Sequence, residues 1–254
     1  MPDVLAGFTV AVTADGRPDE IAPRLEEHGA RVVLVPALRL VPAADNGRPP
    51  DAIGGAEITG HHWAPPVDPT PLHRLVDLIT NRLVDAVTFT SAPALVSLLR
   101  AAGIRSEAVL AALRTHVLTG CVGPHAAENL RRHGVPVLAP ATARVTALVQ
   151  ALVAELPRRT RTLRVAGSEL VLRGHAAMVD GTLKPLPPAQ MAILRSLAAA
   201  PGKVLPRSEL LASLPRGAGE HAVEMAVARL RAALGTPSFI QTVIKRGYRL
   251  RMEE

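Results

Sequence analysis

The sequence predicts an α/β fold: a five-stranded parallel sheet over the first 156 residues, followed by a small α+β domain. Three observations predict this. Strand and helix signals alternate along residues 1–156, the pattern of a parallel sheet covered by helices. The alternation ends at a basic stretch, PRRTRTLR from Pro157 to Arg164, beyond which short strands are separated by glycine turns. Charge divides at the same place. Residues 1–157 hold 13 Lys+Arg against 15 Asp+Glu, a net of −2, whereas residues 158–254 hold 16 against 7, a net of +9. A near-neutral half joined to a basic half points to one domain that meets a polyanion and one that does not.

The elements follow in order. Thr9–Thr13 is a short β-branched and apolar run, read as a strand. Asp19–His28 reads as a helix with Ile21, Leu25 and His28 on one face, closed by Gly29. Arg31–Leu40, rich in valine, is a second strand. Residues 42–71 are dense in proline and glycine without periodicity, so they read as a loop. Leu72–Leu83 resumes as a helix with Leu72, Leu75, Val76 and Ile79 inward. Asp85–Thr90 is a third strand, Pro93–Ala102 a helix ending at Gly103, and GIRSEAVLAAL a core helix. Val117–Val122 and Val135–Ala139 are the last two strands, with a helix over Pro124–His133 between them and another over Val145–Leu156 after them. The order of strands and helices leaves a flavodoxin-like sheet as the expected topology.

Composition narrows the setting. Hydrophobic residues make up 48% of the 254 residues and aromatics only 2%, so the cores must be built from Ala, Val, Leu and Ile. The single cysteine, Cys121, excludes an intrachain disulfide and fits a reducing compartment. No apolar run reaches the roughly 18 residues of a membrane span. The opening residues MPDVLAGF lack a basic and a long apolar region, so no signal peptide, no membrane partner and a cytoplasmic location are expected.

In the basic half, LPPAQMAILRSLAAAPGKVLPRSELLASL reads as two helices and a turn, the second running from Arg207 to about Leu214. AVEMAVARLRAALG lies in a third helix from about Glu220 to Leu234, and IQTVIKRGYRL in a hairpin of Phe239–Val243 and Tyr248–Arg251. In this order and spacing they resemble the OmpR/PhoB-type winged helix over about residues 163–252. On the third helix Val223, Val227, Leu230 and Leu234 make one buried stripe, leaving His221, Glu224, Met225, Ala228, Arg229 and Arg231 nearer the outside. The resemblance implies that this helix enters the major groove of double-stranded DNA. The residues expected to contact DNA are His221, Met225, Arg229 and Arg231 on the helix, with Lys245, Arg246 and Arg249 in the wing around Gly247. Tyr248 is expected to pack against the third helix, and Gly247 to serve the tight turn of the hairpin. His221 and Ala226 stand where the family often has Arg and His, which leaves the third helix poorer in base-reading side chains than is usual for the family.

In the first half, a phosphoacceptor receiver is not supported. The first strand ends in TADGR with one acid, Asp15; Asp85 lies at the wrong end of its strand; and VPVLAP carries no lysine. GFTVAVTADGRPDEIAPRLEEHGARVVLVPALRLVP instead resembles the start of uroporphyrinogen-III synthase. HHWAPPVDPTPLHRLVDLI, DAVTFTSAPALVSLLRAAG and VLTGCVGPHAAENLRRHGVPVLAPATARVTALVQAL resemble its last third. That family has a second α/β domain inserted after the second strand, and its cleft lies between the two. Here the 42–71 loop stands in the place of the insert. His61 stands where the family often has Tyr, and Ala126 where it has Thr. Strand-end residues Thr13, Thr90 and Ser91, with Gly123 and His125 at a helix start, are the candidate ligand-binding set. The adjacent His61 and His62 have no acid or cysteine cluster beside them, so no metal is expected.

The expected organisation is thus an α/β domain over 1–156, a basic linker over 157–162 and a winged helix over 163–254. The expected function is a DNA-binding transcriptional regulator whose first domain senses a tetrapyrrole-like ligand or mediates homodimerisation. The alternative is uroporphyrinogen-III synthase itself, a lyase that cyclises hydroxymethylbilane. Neither reading implies a cofactor.

Overall fold

The computed structural model describes residues 3–14, 20–42, 53, 61–214, 219 and 221–253. Asp15, Asp19, Glu220 and most of the 42–71 loop lie outside the described residues. The chain divides into two compact units, Met1–Arg158 and Arg159–Glu254.

The first unit runs β1 (Thr9–Ala14), α1 (Ile21–Glu27), β2 (Arg31–Pro36), β3 (Arg39–Pro42), β4 (His61–Ala64), α2 (Thr70–Thr80) and β5 (Ala86–Phe89). It continues with α3 (Ala92–Ala102), α4 (Ser106–Thr115), β6 (Leu118–Cys121), α5 (Pro124–Arg132), β7 (Val137–Leu138) and α6 (Val145–Glu155). Five parallel strands form one sheet in the order β2-β1-β5-β6-β7, the flavodoxin-like order expected from the sequence. Period-two alternation divides the sheet's side chains between two aliphatic cores. Ala11, Val87, Phe89 and Cys121 join a cluster with Leu75, Ile79, Leu98 and Leu113. Val10, Val12, Ala86 and Leu118 face the other way, onto Ile21, Leu25, Leu148 and Leu152. Asp85 accepts a hydrogen bond from the Thr9 N–H at 2.8 Å, tying together the starts of β1 and β5.

The structure departs from the sequence reading beside the second strand. The single strand expected over Arg31–Leu40 is two. Pro36 ends β2, the Ala37 N–H bonds the Ala14 carbonyl at 2.8 Å, and β3 leaves the parallel sheet. It pairs antiparallel with β4, a strand inside the stretch read as loop, setting Leu40 opposite Trp63. Four residues flanked by prolines give too little periodicity to see. What holds the hairpin is burial: Trp63, Ala64 and Leu38 are buried, and the Ile53 N–H bonds the Trp63 carbonyl at 2.7 Å.

The second unit opens with an antiparallel sheet of β8 (Arg161–Val165), β9 (Ser168–Arg173), β10 (Ala176–Val179) and β11 (Thr182–Pro185), in the order β11-β10-β9-β8. β8 begins inside the stretch read as linker. Three helices follow, α7 (Pro188–Ala199), α8 (Arg207–Ser213) and α9 (Ala222–Leu234), then a hairpin of β12 (Ile240–Val243) and β13 (Gly247–Leu250). Leu194, Leu197, Leu210, Val227, Leu230, Phe239 and Leu250 share its core.

Burial pushes the Cys121 thiol up to about 12, against a smaller lowering by Arg131. The native thiol is therefore expected to resist a disulfide reagent at pH 8 and to react fully once the chain is unfolded. Its stabilising contribution is complete below the unfolded thiol value of about 8.5 and is lost as pH rises towards 12. Replacing Cys121 by Ala should accordingly flatten the alkaline loss of stability, measured by urea unfolding between pH 8 and pH 10, by up to about 1.4 kcal/mol per pH unit.

Candidate nucleic-acid interface and the strand ends of the α/β unit

The winged part of the second unit is organised by a close backbone contact. Leu205 and Tyr248 exchange two hydrogen bonds, Leu205 N–H to the Tyr248 carbonyl at 2.8 Å and Tyr248 N–H to the Leu205 carbonyl at 3.0 Å. Gly247, at φ +136°, makes this possible, because a Cβ there would stand 1.9 Å from the Leu205 oxygen. The hairpin turn itself falls on Lys245, at φ +60°, with the Arg246 N–H bonded to the Val243 carbonyl at 3.0 Å. The role of Gly247 is therefore to admit the neighbouring chain, not to supply the tight turn expected of it.

Tyr248 is buried between two guanidinium groups, with Arg207 of α8 5.4 Å from its ring centre and Arg231 of α9 5.9 Å from it. Arg207 also pairs with Glu224 at 2.7 Å, which raises the Arg207 value. The Glu224 carboxyl is held below its ordinary value by its own backbone N–H and by Arg207. Arg231 donates twice to the Ile240 carbonyl, at 2.6 and 3.1 Å, and to Thr242 Oγ1 at 2.9 Å. Helix α9, α8 and the hairpin are thereby clamped together.

This geometry sorts the residues singled out in the sequence. Val223, Ala226, Val227, Leu230 and Leu234 are the buried face of α9, which ends at Gly235 in the left-handed conformation. His221, Met225, Ala228 and Arg229 are exposed on its outer face. Arg231 and Glu224, read as outward, are half-buried and turned to the hairpin and to α8. The helical spacing leaves both at the margin of the apolar stripe, where the partner's position decides the direction. Ala226 is buried, so its departure from the family's usual residue does not alter the outer face. Lys245 and Arg246 are exposed at the hairpin tip beside Ile244, while Arg249 donates to Gln241 Oε1 at 2.9 Å across the strands. Arg229, Lys245 and Arg246 engage no side-chain partner among the described residues. Arg207, which the sequence reading did not select, gave no signal beyond a helix-start arginine.

In the first unit, the sheet order reverses direction at β1, between β2 and β5, the switch point where such sheets bind ligands. Thr13 lies there, buried, donating to the Thr88 carbonyl at 2.8 Å, and Thr90 donates to the Thr13 carbonyl at 3.5 Å. Ser91 stands at the N-cap position of α3 in an extended conformation without a side-chain capping bond, and its Oγ is buried with no hydrogen-bond partner among the described residues. Gly123 occupies the equivalent place before α5, with open space where a Cβ would stand, and His125 is exposed in the first turn of that helix. The structure thus gathers Thr13, Thr90 and Ser91 at adjoining strand ends and sets Gly123 and His125 at the end of β6, the next strand.

Residues 181–250 match the family model described as transcriptional regulatory protein, C terminal, and residues 57–150 match that of uroporphyrinogen-III synthase HemD. The chain is therefore a fusion of two types of domain. A uroporphyrinogen-III synthase-like α/β domain precedes an OmpR/PhoB-type winged-helix domain. A Methanothermobacter thermautotrophicus protein described as a candidate uroporphyrinogen-III synthase is 29% identical over 149 residues, 58% of this chain and 49% of that one. Among solved structures, uroporphyrinogen III synthase from the extreme thermophile Thermus thermophilus is 25% identical over 60% of this chain and 51% of its own, with a TM-score of 0.36. The DNA-binding domain of Klebsiella pneumoniae RstA, solved in complex with the RstA box, is 25% identical over 36% of this chain and 97% of its own, with a TM-score of 0.30. The chain spans about half the length of the synthases it matches.

Two glycine substitutions separate conformation from contact. Gly235→Ala meets only the left-handed backbone penalty, since nothing lies within 4 Å of its added Cβ, and should cost about 1 kcal/mol. Gly247→Ala must also displace the Leu205 backbone and should cost more than about 3 kcal/mol. Thermal unfolding followed at Tyr248, the chain's one tyrosine, reads the difference.

Proposed function

We propose that this chain is a DNA-binding transcriptional regulator. The observation that carries the reading is the exposed face of α9, bearing Arg229, together with a hairpin tip bearing Lys245 and Arg246, in a half of the chain with a net charge of +9. A helix presented in this way fits the major groove, and a basic hairpin beside it fits backbone phosphates or the adjacent minor groove. Double-stranded DNA is the partner. His221, Met225 and Arg229 face the bases, and Lys245 and Arg246 the backbone, with Arg249 behind them. Arg231 holds the wing against α9 and acts as a positioning residue.

The α/β domain is the sensory half of this reading. Its strand ends offer the N-terminal N–H groups of α3 and α5, the Ser91 hydroxyl and an exposed imidazole, a set suited to carboxylates, with Thr13 and Thr90 bonding β1 to the end of β5 beside them. A tetrapyrrole-like polycarboxylate is the ligand class that the match over residues 57–150 supports, with homodimerisation as the other use of the domain. Uroporphyrinogen-III synthase activity is the second reading, favoured by that same match. Against it stands the extent of the match, which covers 49% of the relative's length, with one parallel sheet among the described residues. Hydroxymethylbilane incubated with the purified protein decides between them. Type III product above the spontaneous type I background would establish the enzyme.

Fluorescence anisotropy of the full chain on DNA from upstream of its own gene, against scrambled DNA across a salt series, tests the regulator. Preference for the native sequence is expected, with log K falling linearly in log salt. Arg229→Ala should cost about 1–3 kcal/mol on the native sequence, and Lys245→Ala should weaken both sequences alike while lowering the salt slope by about 1. Equal binding of native and scrambled DNA would count against a sequence-specific regulator. For the sensory half, uroporphyrin III should raise the melting temperature of the full chain, and raise it less in Ser91→Ala.

A further inference from the structure

The outer face of α9 carries little hydrogen-bonding chemistry. Its exposed positions are His221, Met225, Ala228, Arg229 and Ala232, spaced as one helical face. Glu224 is withdrawn to Arg207 and Arg231 to the hairpin. Between His221 at the helix start and Arg229 two turns on, the face therefore presents a thioether and a methyl group. Met225 keeps 52% of its surface exposed although apolar neighbours lie within two residues of it on either side in the sequence.

Resting on the DNA-binding reading above, we infer that α9 selects its site through thymine methyl groups, with Met225 and Ala228 as the specificity-determining residues. The 5-methyl of thymine is the one apolar group that a base pair displays in the major groove, so an apolar helix face discriminates there without hydrogen bonds. Met suits this role because its unbranched, polarisable side chain adapts to an irregular surface. Arg229 supplies the polar complement, a fork matched to the O6 and N7 of guanine. Met225 and Arg229 are four residues apart, about 6.0 Å along the helix, against about 3.4 Å per base step. The preferred half-site thus places thymines within about two base pairs of a guanine.

The test uses a duplex selected from a random-sequence pool with the full-length protein. Each thymine of the half-site is then replaced by deoxyuridine, which removes the methyl and leaves every hydrogen-bonding group and charge in place. The wild type should bind about four-fold more weakly for each contacted methyl removed, the transfer worth of one buried methyl-sized group. The salt slope should not change, because no phosphate contact is lost. Met225→Ala should bind the thymine duplex more weakly and lose nothing further at the position Met225 covers, while Met225→Leu should restore the sensitivity. Equal affinity of the wild type for thymine and uracil duplexes would overturn the inference. So would a full uracil penalty retained by Met225→Ala. A pool that yields no bound duplex at all would sink the DNA-binding reading together with this one. Met225 is exposed, so all three proteins should share one melting curve, which circular dichroism checks.

Discussion

Leu205 and Tyr248 pair backbone to backbone across a gap that only a glycine at 247 leaves open, and the whole winged surface is arranged from that contact. The pairing brings the chain entering α8 onto the edge of the hairpin. It also fixes Tyr248 as the platform on which Arg207 and Arg231 converge from two helices. Both arginines are engaged within the domain. One is neutralised by Glu224, and the other satisfies a carbonyl and a hydroxyl of β12. Beside this clamp, Arg229 on α9 and Lys245 and Arg246 at the hairpin tip stay exposed, with no side-chain partner among the described residues.

The α/β unit obeys a different constraint. With few aromatic residues, its sheet must be covered by aliphatic side chains on both faces, and the two clusters on either side of β1, β5 and β6 do this. With both faces covered, the open sheet and its helices make one compact unit. The short β3–β4 hairpin, pinned by Trp63, follows the second strand of the sheet, where the synthase family carries a further domain. The binding surface proposed at the strand ends of this unit rests on Ser91 and the starts of α3 and α5, beside the Thr13 and Thr90 hydroxyls that bond β1 to the end of β5. The buried Ser91 hydroxyl at the start of α3 is unpartnered among the described residues, as is that of Thr88 in β5.

The sequence by itself determined the elements whose side chains repeat along one segment. The stripe of Val223, Val227, Leu230 and Leu234, the alternation in β1 and β5, and the prolines and glycines at helix boundaries each carry their signal locally, so strand order and the outer face of α9 were legible. β3 and β4 are short and stand among prolines, which is why they look like a strand end and a loop in the sequence. The directions of Glu224 and Arg231, the identity of Arg207 as a brace and the reason for Gly247 were decided only by tertiary structure. Each depends on an atom distant in sequence: Arg207 for Glu224, the Ile240 carbonyl for Arg231, the Leu205 oxygen for Gly247. A margin residue on a helix has no intrinsic direction until a partner desolvates it or leaves it in water, and a glycine has no visible purpose until another backbone approaches it.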